Sequence, residues 1–189
     1  MQSKKFKPIK TKRLDLKPLK ATFTQAQELV DLIKRNREHF KWLIIANVKA
    51  PEEEYDWLKT AVQQRKDSKA AHYVIYLHST NKIIGLCGID PLSWGNSRGE
   101  IGYWLDQDYT GYGYMTEAVK ALEDAFFGMG LNRLSIRANV KNKASCGVAK
   151  RLGYKKEGVV RAELFNKVMN EYEDIAYYGK LRSEWKGKK

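Results

Sequence analysis

Hydrophobic residues along the chain recur with two periods, one typical of strands and one typical of helices. Alternating apolar and polar positions, together with runs of β-forming residues, predict strands at residues 12–20, 73–77, 83–89, 99–105, 134–138, 154–164 and 171–181. Apolar residues three and four positions apart predict helices at residues 24–34, 51–66, 114–127 and 142–152. Strands outnumber helices, and hairpins are mixed with crossover connections, so the order indicates an α/β protein with a mixed sheet.

Residues that start helices refine these boundaries. Thr24 and Gln27 have the spacing of a capping box and predict the start of the first helix. Pro51 and the three glutamates behind it predict the second, because proline suits the first helical position and acids favour the positive end. That helix is predicted to bury Tyr55, Leu58 and Val62. A short extra helix is expected at 36–42, and a turn at 91–95.

The segment 102–116, GYWLDQDYTGYGYMT, combines a strand, a glycine turn and a helix start. Gly111 and Gly113 flank Tyr112, and glycine lets a backbone approach a ligand closely. The first amides of a helix lack partners within the helix and attract phosphate. The segment therefore predicts a pyrophosphate cradle of main-chain amides, although two glycines alone are equally typical of an ordinary turn. The P-loop motif is absent, and Thr116 replaces the third glycine of a dinucleotide-binding fingerprint.

Size and charge narrow the class of protein. The 189 residues suit one domain over 1–189, with basic ends at 1–11 and 182–189 that are expected to be mobile. Lysine and arginine number 35 against 22 acids, which gives a net charge of +13. Such a charge attracts phosphates, RNA and acidic proteins, and it argues against polycationic substrates.

The sequence also bears on the compartment and on metals. No apolar run reaches membrane-spanning length, and the basic start lacks the apolar segment of a signal peptide. Cys87 and Cys146 lie far apart and predict free thiols in a reducing compartment. We therefore expect a cytoplasmic protein without a membrane partner. The three histidines are scattered and show no metal-ligand spacing, so no metal is expected.

Several motifs together resemble a known family. The strand GYWL, the glycine turn, the run LNRLSIRANVKNKAS and the tetrapeptide RLGY resemble the GNAT superfamily of acetyl-CoA-dependent N-acetyltransferases, in particular its RimJ/RimL-like group. The resemblance implies a mixed, mostly antiparallel sheet splayed between two central strands and flanked by helices. It implies acetyl-CoA as co-substrate and no metal. One departure is Asp108, an acid where the family often has glutamine or arginine, which must point away from the phosphates.

The resemblance also assigns candidate donor-binding residues. The strand end at Trp104 and Leu105 is implied to pair with the pantetheine arm. The amides of the glycine turn are implied to bind pyrophosphate, namely those of Gly111, Tyr112, Gly113, Tyr114 and Met115. Asn142 is implied to bind the pantetheine arm, and Ser145 to protonate the leaving thiolate. Asn142 and Ser145 also fit a purely structural role as helix-capping residues.

The resemblance makes Glu163 the candidate general base, because a free amine attacks a thioester and an ammonium does not. The alternative is a surface ion pair with Arg161 or Lys167, and Glu100 is a rival base. The early aromatic residues Trp42, Tyr55 and Trp57 are either walls of the acceptor pocket or helix packing.

The acceptor is predicted to be the N-terminal α-amine of a protein, with ribosomal proteins as candidates. An α-amine has a pKa of about 7.7–8.0 against about 10.4 for lysine, so a weak base suffices to deprotonate it. Two alternatives remain open. One is a small-molecule amine, and the other is a non-catalytic CoA- or RNA-binding protein, although no RNA-binding motif is present. Monomer and homodimer are equally open.

Overall fold

A computed structural model describes residues 6–187 and contains one eight-stranded sheet with four α-helices. The strands are β1 (Ile9–Lys10), β2 (Leu14–Pro18), β3 (Ala71–Leu77), β4 (Lys82–Ser93), β5 (Arg98–Leu105), β6 (Arg133–Asn139), β7 (Lys155–Asn166) and β8 (Glu171–Leu181). The helices are α1 (Phe23–Arg35), α2 (Pro51–Lys66), α3 (Tyr114–Gly128) and α4 (Lys143–Arg151). The predicted α/β class is confirmed.

The sheet opens in its middle. The strand order is β1-β2-β3-β4-β5-β6-β8-β7, and every neighbouring pair is antiparallel except β5 and β6. Those two parallel strands pair only from Arg98 to Glu100 on β5. Residues 101–105 of β5 stay paired with β4 but not with β6, so their outer edge offers unpaired backbone groups. The expected splay between the two central strands is confirmed.

Each face of the sheet carries its own hydrophobic core. One core packs α3 and α4 against the sheet through residues such as Leu122, Phe126 and Ala149. The other packs α1 and α2 through residues such as Leu29 and Leu58. One pair of helices therefore covers each face of the sheet, and the core under α3 and α4 spans strands on both sides of the central opening.

Some local predictions were wrong. The N-cap of α1 is Thr22 rather than Thr24, since its hydroxyl accepts from the Gln25 amide at 3.2 Å. Residues 36–42 form turns instead of a helix. Residues 91–93 remain in β4, following a cis peptide bond before Pro91. The buried face of α2 carries Glu54, Leu58 and Ala61, so the expected face is rotated by about one residue.

The predicted basic ends lie partly outside the described residues, at 1–5 and 188–189. Within the described part, both ends pack on α3. Phe6 stacks on Phe126 with ring centroids 5.8 Å apart, and Trp185 lies 5.7 Å from Phe127. Among the described residues, no helix is long and apolar enough to cross a membrane.

Candidate active site

A cavity of ≈490 Å³ lies where β5 leaves β6, and we call it the donor cavity. The end of β5, the glycine turn with the start of α3, and the start of α4 all line it. Most of the residues assigned by resemblance meet there, namely Trp104, Leu105, Gly111, Gly113, Tyr114, Met115, Asn142 and Ser145. Tyr112 does not line the cavity, and its side chain is exposed. The strand edge beside the cavity can pair with an extended chain that carries amides.

The glycine turn adopts a conformation that other residues rarely adopt. Gly111 has φ 83° and Gly113 has φ 79°, both in the left-handed region. Gly113 is also the N-cap of α3, so the first amides of the helix follow directly. A Cβ added at Gly111 would meet no atom within 4 Å and would project into open space. Backbone amides, a helix N-terminus and an open cradle fit a pyrophosphate.

Arg13 fixes this turn from outside, a role that the sequence analysis missed. Its guanidinium donates to the carbonyl oxygen of Tyr112 at 3.0 Å and to Glu117 at 2.7 Å, and it stacks on Tyr114 at 4.4 Å. Partial burial acts to raise the pKa of Glu117, but hydrogen bonds from Thr11 and Arg13 hold that pKa below its ordinary value. The turn is therefore held by the bend between β1 and β2, which lies about a hundred residues earlier in the chain.

Arg151 is a second basic residue that the sequence analysis did not assign to the site, although it begins the RLGY motif. It lines the donor cavity, and its Nε donates to the hydroxyl of Thr116 at 3.2 Å. A guanidinium there suits a phosphate-bearing ligand. Asp108 is exposed and absent from the lining of the donor cavity, in agreement with the expectation that it points away.

Ser145 and Tyr103 form a reciprocal pair at the junction of the cleft. The Ser145 hydroxyl donates to the Tyr103 hydroxyl at 3.2 Å, and the Tyr103 hydroxyl donates to the Ser145 carbonyl at 3.0 Å. Burial raises the pKa of the Tyr103 phenol, so it stays protonated. Asn142 caps α4 by accepting from the Ser145 amide at 3.0 Å. The capping role is thus present, and the roles of Asn142 and Ser145 toward a donor stay predictions.

Glu163 lies on a distorted part of β7. The strand bulges near Ala162, whose φ of 51° lies in the left-handed region. Strained backbone of this kind is concentrated at functional sites. Tyr177 donates to Glu163 Oε1 at 2.7 Å, and Arg137 lies 3.9 Å away. The sequence analysis offered an ion pair with Arg161 or Lys167 as the alternative, whereas the basic side chain near Glu163 is that of Arg137. The role of Glu163 as general base stays a prediction.

A second cavity, which we call the acceptor cavity, has a volume of ≈490 Å³ and opens on the α2 side of β5. Both cavities are lined by Tyr103, Trp104, Asn142 and Ser145. A thioester in one cavity and an amine in the other would meet at these residues. Of the described residues, Glu163 lines neither cavity, whereas its rival Glu100 lines the acceptor cavity and accepts from Arg137 at 2.8 Å.

The walls of the acceptor cavity are aromatic and acidic. Trp42 and Trp57 line it as expected, whereas Tyr55 is absent from its lining and packs on Phe23. Five carboxylates line the cavity, namely Glu53, Glu54, Asp90, Glu100 and Glu173. Burial raises the pKa of Glu54 to about 7. The argument from net charge against cationic substrates therefore fails, because a chain with a charge of +13 places a cluster of acids in this cavity.

Within the described part of the chain, no group of three or more histidine, cysteine, aspartate or glutamate side chains is arranged to hold a metal ion. Cys87 and Cys146 are both free and buried. The chemistry that the lining of the two cavities can support is acid–base and electrostatic. It needs an anion cradle on the donor side, a carboxylate that faces the amine, and a hydroxyl near the leaving group.

A splayed sheet with a main-chain phosphate cradle on one side and an acid-lined pocket on the other defines a CoA-dependent transferase. An acetyltransferase (GNAT) domain matches residues 13–155. The chain belongs to the GNAT family, as the resemblance had implied, and it is an N-acetyltransferase with acetyl-CoA as its co-substrate.

Known proteins agree with this assignment over most of the chain. The putative ribosomal N-acetyltransferase YdaF of Bacillus subtilis is 30% identical over 172 residues, which cover 87% of this chain and 90% of the relative. The structure of the microcin C7 self-immunity acetyltransferase MccE with acetyl-CoA and AMP has a TM-score of 0.82 at 25% identity, covering 90% of this chain and 93% of that one. RimL, the ribosomal L7/L12 alpha-N-protein acetyltransferase, solved with coenzyme A, has a TM-score of 0.86 at 23% identity, covering 94% and 99%, and shares the fold.

Proposed function

We propose that this enzyme acetylates the N-terminal α-amine of a protein, with a ribosomal protein as the candidate acceptor. The observation that carries the proposal is that the two cavities meet at Tyr103 and Ser145. The donor thioester reaches the junction from one side, and an amine reaches it from the other. The amine nitrogen attacks the thioester carbonyl, an amide bond forms, and the carbon–sulfur bond breaks to release the thiol of CoA.

In the proposed reaction, the amine must lose a proton before it attacks. Glu163, held by Tyr177 at 2.7 Å, is the proposed base, and it acts through water because it lines neither of the two described cavities. The proposed role of Ser145 is to protonate the thiolate. A free thiol has a pKa of about 8.5, so the thiolate is already a competent leaving group near neutral pH and this help is small. A site with modest acid–base groups suits an α-amine better than a lysine side chain.

The proposed contacts with acetyl-CoA involve the glycine turn and the strand edge beside it. The amides from Gly111 to Met115 would hold the pyrophosphate, and Arg151 would add a positive charge. The edge of β5 at Trp104 and Leu105, with Asn142 opposite, would pair with the pantetheine arm. The two buried thiols fit a reducing compartment such as the cytoplasm. The names of YdaF and RimL support a ribosomal acceptor.

A small-molecule amine is the second candidate. The observation that favours it is the shape of the acceptor cavity, since ≈490 Å³ lined by tryptophans and carboxylates would enclose a compact cation. MccE, a microcin C7 self-immunity acetyltransferase solved with acetyl-CoA and AMP, is not named for a protein acceptor, which supports this candidate.

Labelled acetyl-CoA distinguishes the two candidates. The test uses a peptide with a free N-terminal serine, the same peptide with that amine acetylated and one internal lysine left free, and a set of small primary amines. We expect label in the free peptide and none in the blocked one. Label confined to the small amines would replace the proposal with the second candidate, and label in the blocked peptide would move the activity to lysine.

A further inference from the structure

Glu54 is a buried carboxyl group without a protein partner. It lies in the first turn of α2 after Glu52 and Glu53. All three acids benefit from the positive end of the helix, but only Glu54 is buried, with 6% of its surface exposed. Among the described residues, no hydrogen-bond donor or cation contacts its carboxylate, whereas Glu53 accepts from the Lys49 amide at 3.2 Å. Burial without a partner disfavours the charged form, so helix stabilisation does not explain the position of Glu54.

Glu54 faces space that can hold a ligand. It lines the acceptor cavity, whose floor includes Gly88 and Gly102, two glycines paired directly across β4 and β5. A Cβ added at Gly102 would meet no atom within 4 Å. The wall beside the floor is Trp57, which packs edge-on against His72 at 5.2 Å. The Nε2 atom of His72 is buried without a well-aligned hydrogen bond, and it lies 3.4 Å from the Asp90 carboxylate, so within the described part of the chain Glu54 has no partner where its neighbour has one.

The other charged groups of the cavity are already engaged or lie at its edge. Arg137 donates to Glu100, and Glu173 accepts from Asn166. His72 lies 3.4 Å from Asp90. The titratable and charged groups that line the cavity with Glu54 are Glu53, His72, Asp90, Glu100, Arg137 and Glu173. Acids outnumber bases, so the cavity as a whole attracts a cation.

We propose that Glu54 binds the ammonium group of the acceptor as it enters the acceptor cavity, with the group next to that ammonium packed against Trp57. The inference rests on the proposed function and narrows the substrate to amines that arrive protonated and carry an uncharged group beside the nitrogen. An N-terminus with an uncharged first side chain meets that description. Glu54 thus acts in binding the acceptor, and Glu163 keeps the proton transfer that precedes attack.

The test compares Glu54→Gln with Glu52→Gln, an exposed glutamate of the same helical turn that loses the same charge. The acceptor is the peptide with a free N-terminal serine. We expect Glu54→Gln to raise the KM for the peptide about tenfold, as for loss of a charge-assisted hydrogen bond, with kcat and the KM for acetyl-CoA changed less than about threefold. Glu52→Gln should match the wild type. A peptide KM within about twofold of wild type, or a loss confined to kcat, overturns the proposal.

A second measurement does not depend on turnover. Carbon-13 NMR of labelled glutamate follows the pKa of Glu54 in the wild-type enzyme, with Glu54→Gln assigning the signal. The free peptide should lower that pKa, and the peptide with an acetylated N-terminus should not. If the wild type does not acetylate the peptide, the proposed function falls, and the same titration with phenylethylamine decides the role of Glu54. A pKa unchanged by saturating phenylethylamine then overturns it.

Discussion

The donor side of this cleft is built mainly from backbone groups, whereas the acceptor side is built from side chains. The donor side consists mainly of backbone, namely the left-handed turn at Gly111 and Gly113, the start of α3 and the unpaired edge of β5. The acceptor side consists of side chains contributed by many separate elements, from Trp42 to Glu173. A backbone site tolerates sequence change and suits a constant donor. A side-chain site can vary between relatives and therefore sets the acceptor.

The two sides also differ in charge. Arg151 lines the donor cavity, whereas five acids and Arg137 line the acceptor cavity. An anionic donor and a cationic acceptor would thus be attracted to different cavities of one cleft. A net charge of +13 averages over this separation, so by itself it says little about the acceptor.

The largest expected effect is on kcat, through loss of the base that is proposed to deprotonate the acceptor. Glu163→Gln should lower kcat on the order of 100-fold or more, because removal of a general base typically costs that much. Affinity for acetyl-CoA should stay within about twofold, since no donor contact is lost. Steady-state rates from pH 6 to 9 and calorimetric titration with acetyl-CoA measure the two quantities. Unchanged turnover across that range would exclude Glu163 as the base.

The matched control is Glu157→Gln on the same strand. Glu157 pairs with Arg133 and lines neither cavity among the described residues. The Glu157→Gln variant removes an equal charge from β7, so its turnover should equal that of the wild type. A similar loss in both variants would mean that the effect reflects the strand and not the proton transfer.

On the donor side, Gly111→Val should raise the Kd for acetyl-CoA by about 10- to 100-fold. A β-branched residue is strained at φ 83° by about 1–2 kcal/mol, and its side chain enters the donor cavity. The Kd of the acceptor peptide should change little. Gly128→Val, at the end of α3 and without a left-handed φ, is the control. Equal affinities for acetyl-CoA in both variants would contradict the cradle.

The contrast between a backbone site and a side-chain site also explains how much of the structure could be predicted from the sequence. Alternation and helical spacing predicted most elements, because backbone geometry leaves a direct periodic signal. The glycine turn was recognisable for the same reason. The predicted helix at 36–42 was wrong because Asn36 ends α1: its side-chain amide donates to the Leu32 carbonyl at 2.9 Å, and turns follow.

The acceptor side was harder to predict because its residues come together only in the fold. The same holds on the donor side for Arg13, which lies 99 residues before Tyr112 in the chain and is brought to the glycine turn only by the fold. Glu54 did leave a signal, since it stands four residues before Leu58 on the buried face of α2. The favourable interaction of acids with a helix N-terminus accounted for all three glutamates of that turn equally. The sequence analysis therefore did not single out Glu54, the one that faces inward.

The smallest expected effect is on the free energy of unfolding. It separates the proposed role of Glu54 in binding from its effect on folding. Burial raises the pKa of Glu54 from 4.5 to about 7. Below pH 4.5 the carboxyl is protonated in the folded and the unfolded chain, so it costs nothing. As the pH rises towards 7, the unfolded chain ionises first, and the folded state loses relative stability. Glu54→Gln should therefore be about 1–3 kcal/mol more stable than the wild type at pH 8 and equally stable at pH 4.5.

Urea unfolding of both proteins at the two pH values measures this difference, with Glu52→Gln as the exposed control that should show none. A gain that is the same at both pH values would come from packing and not from ionisation. A gain confined to the higher pH, combined with a weaker hold on the acceptor, would show that the enzyme keeps a destabilising carboxyl because the acceptor needs it. The donor side offers no such conflict, since its amides would bind phosphate without burying a charge.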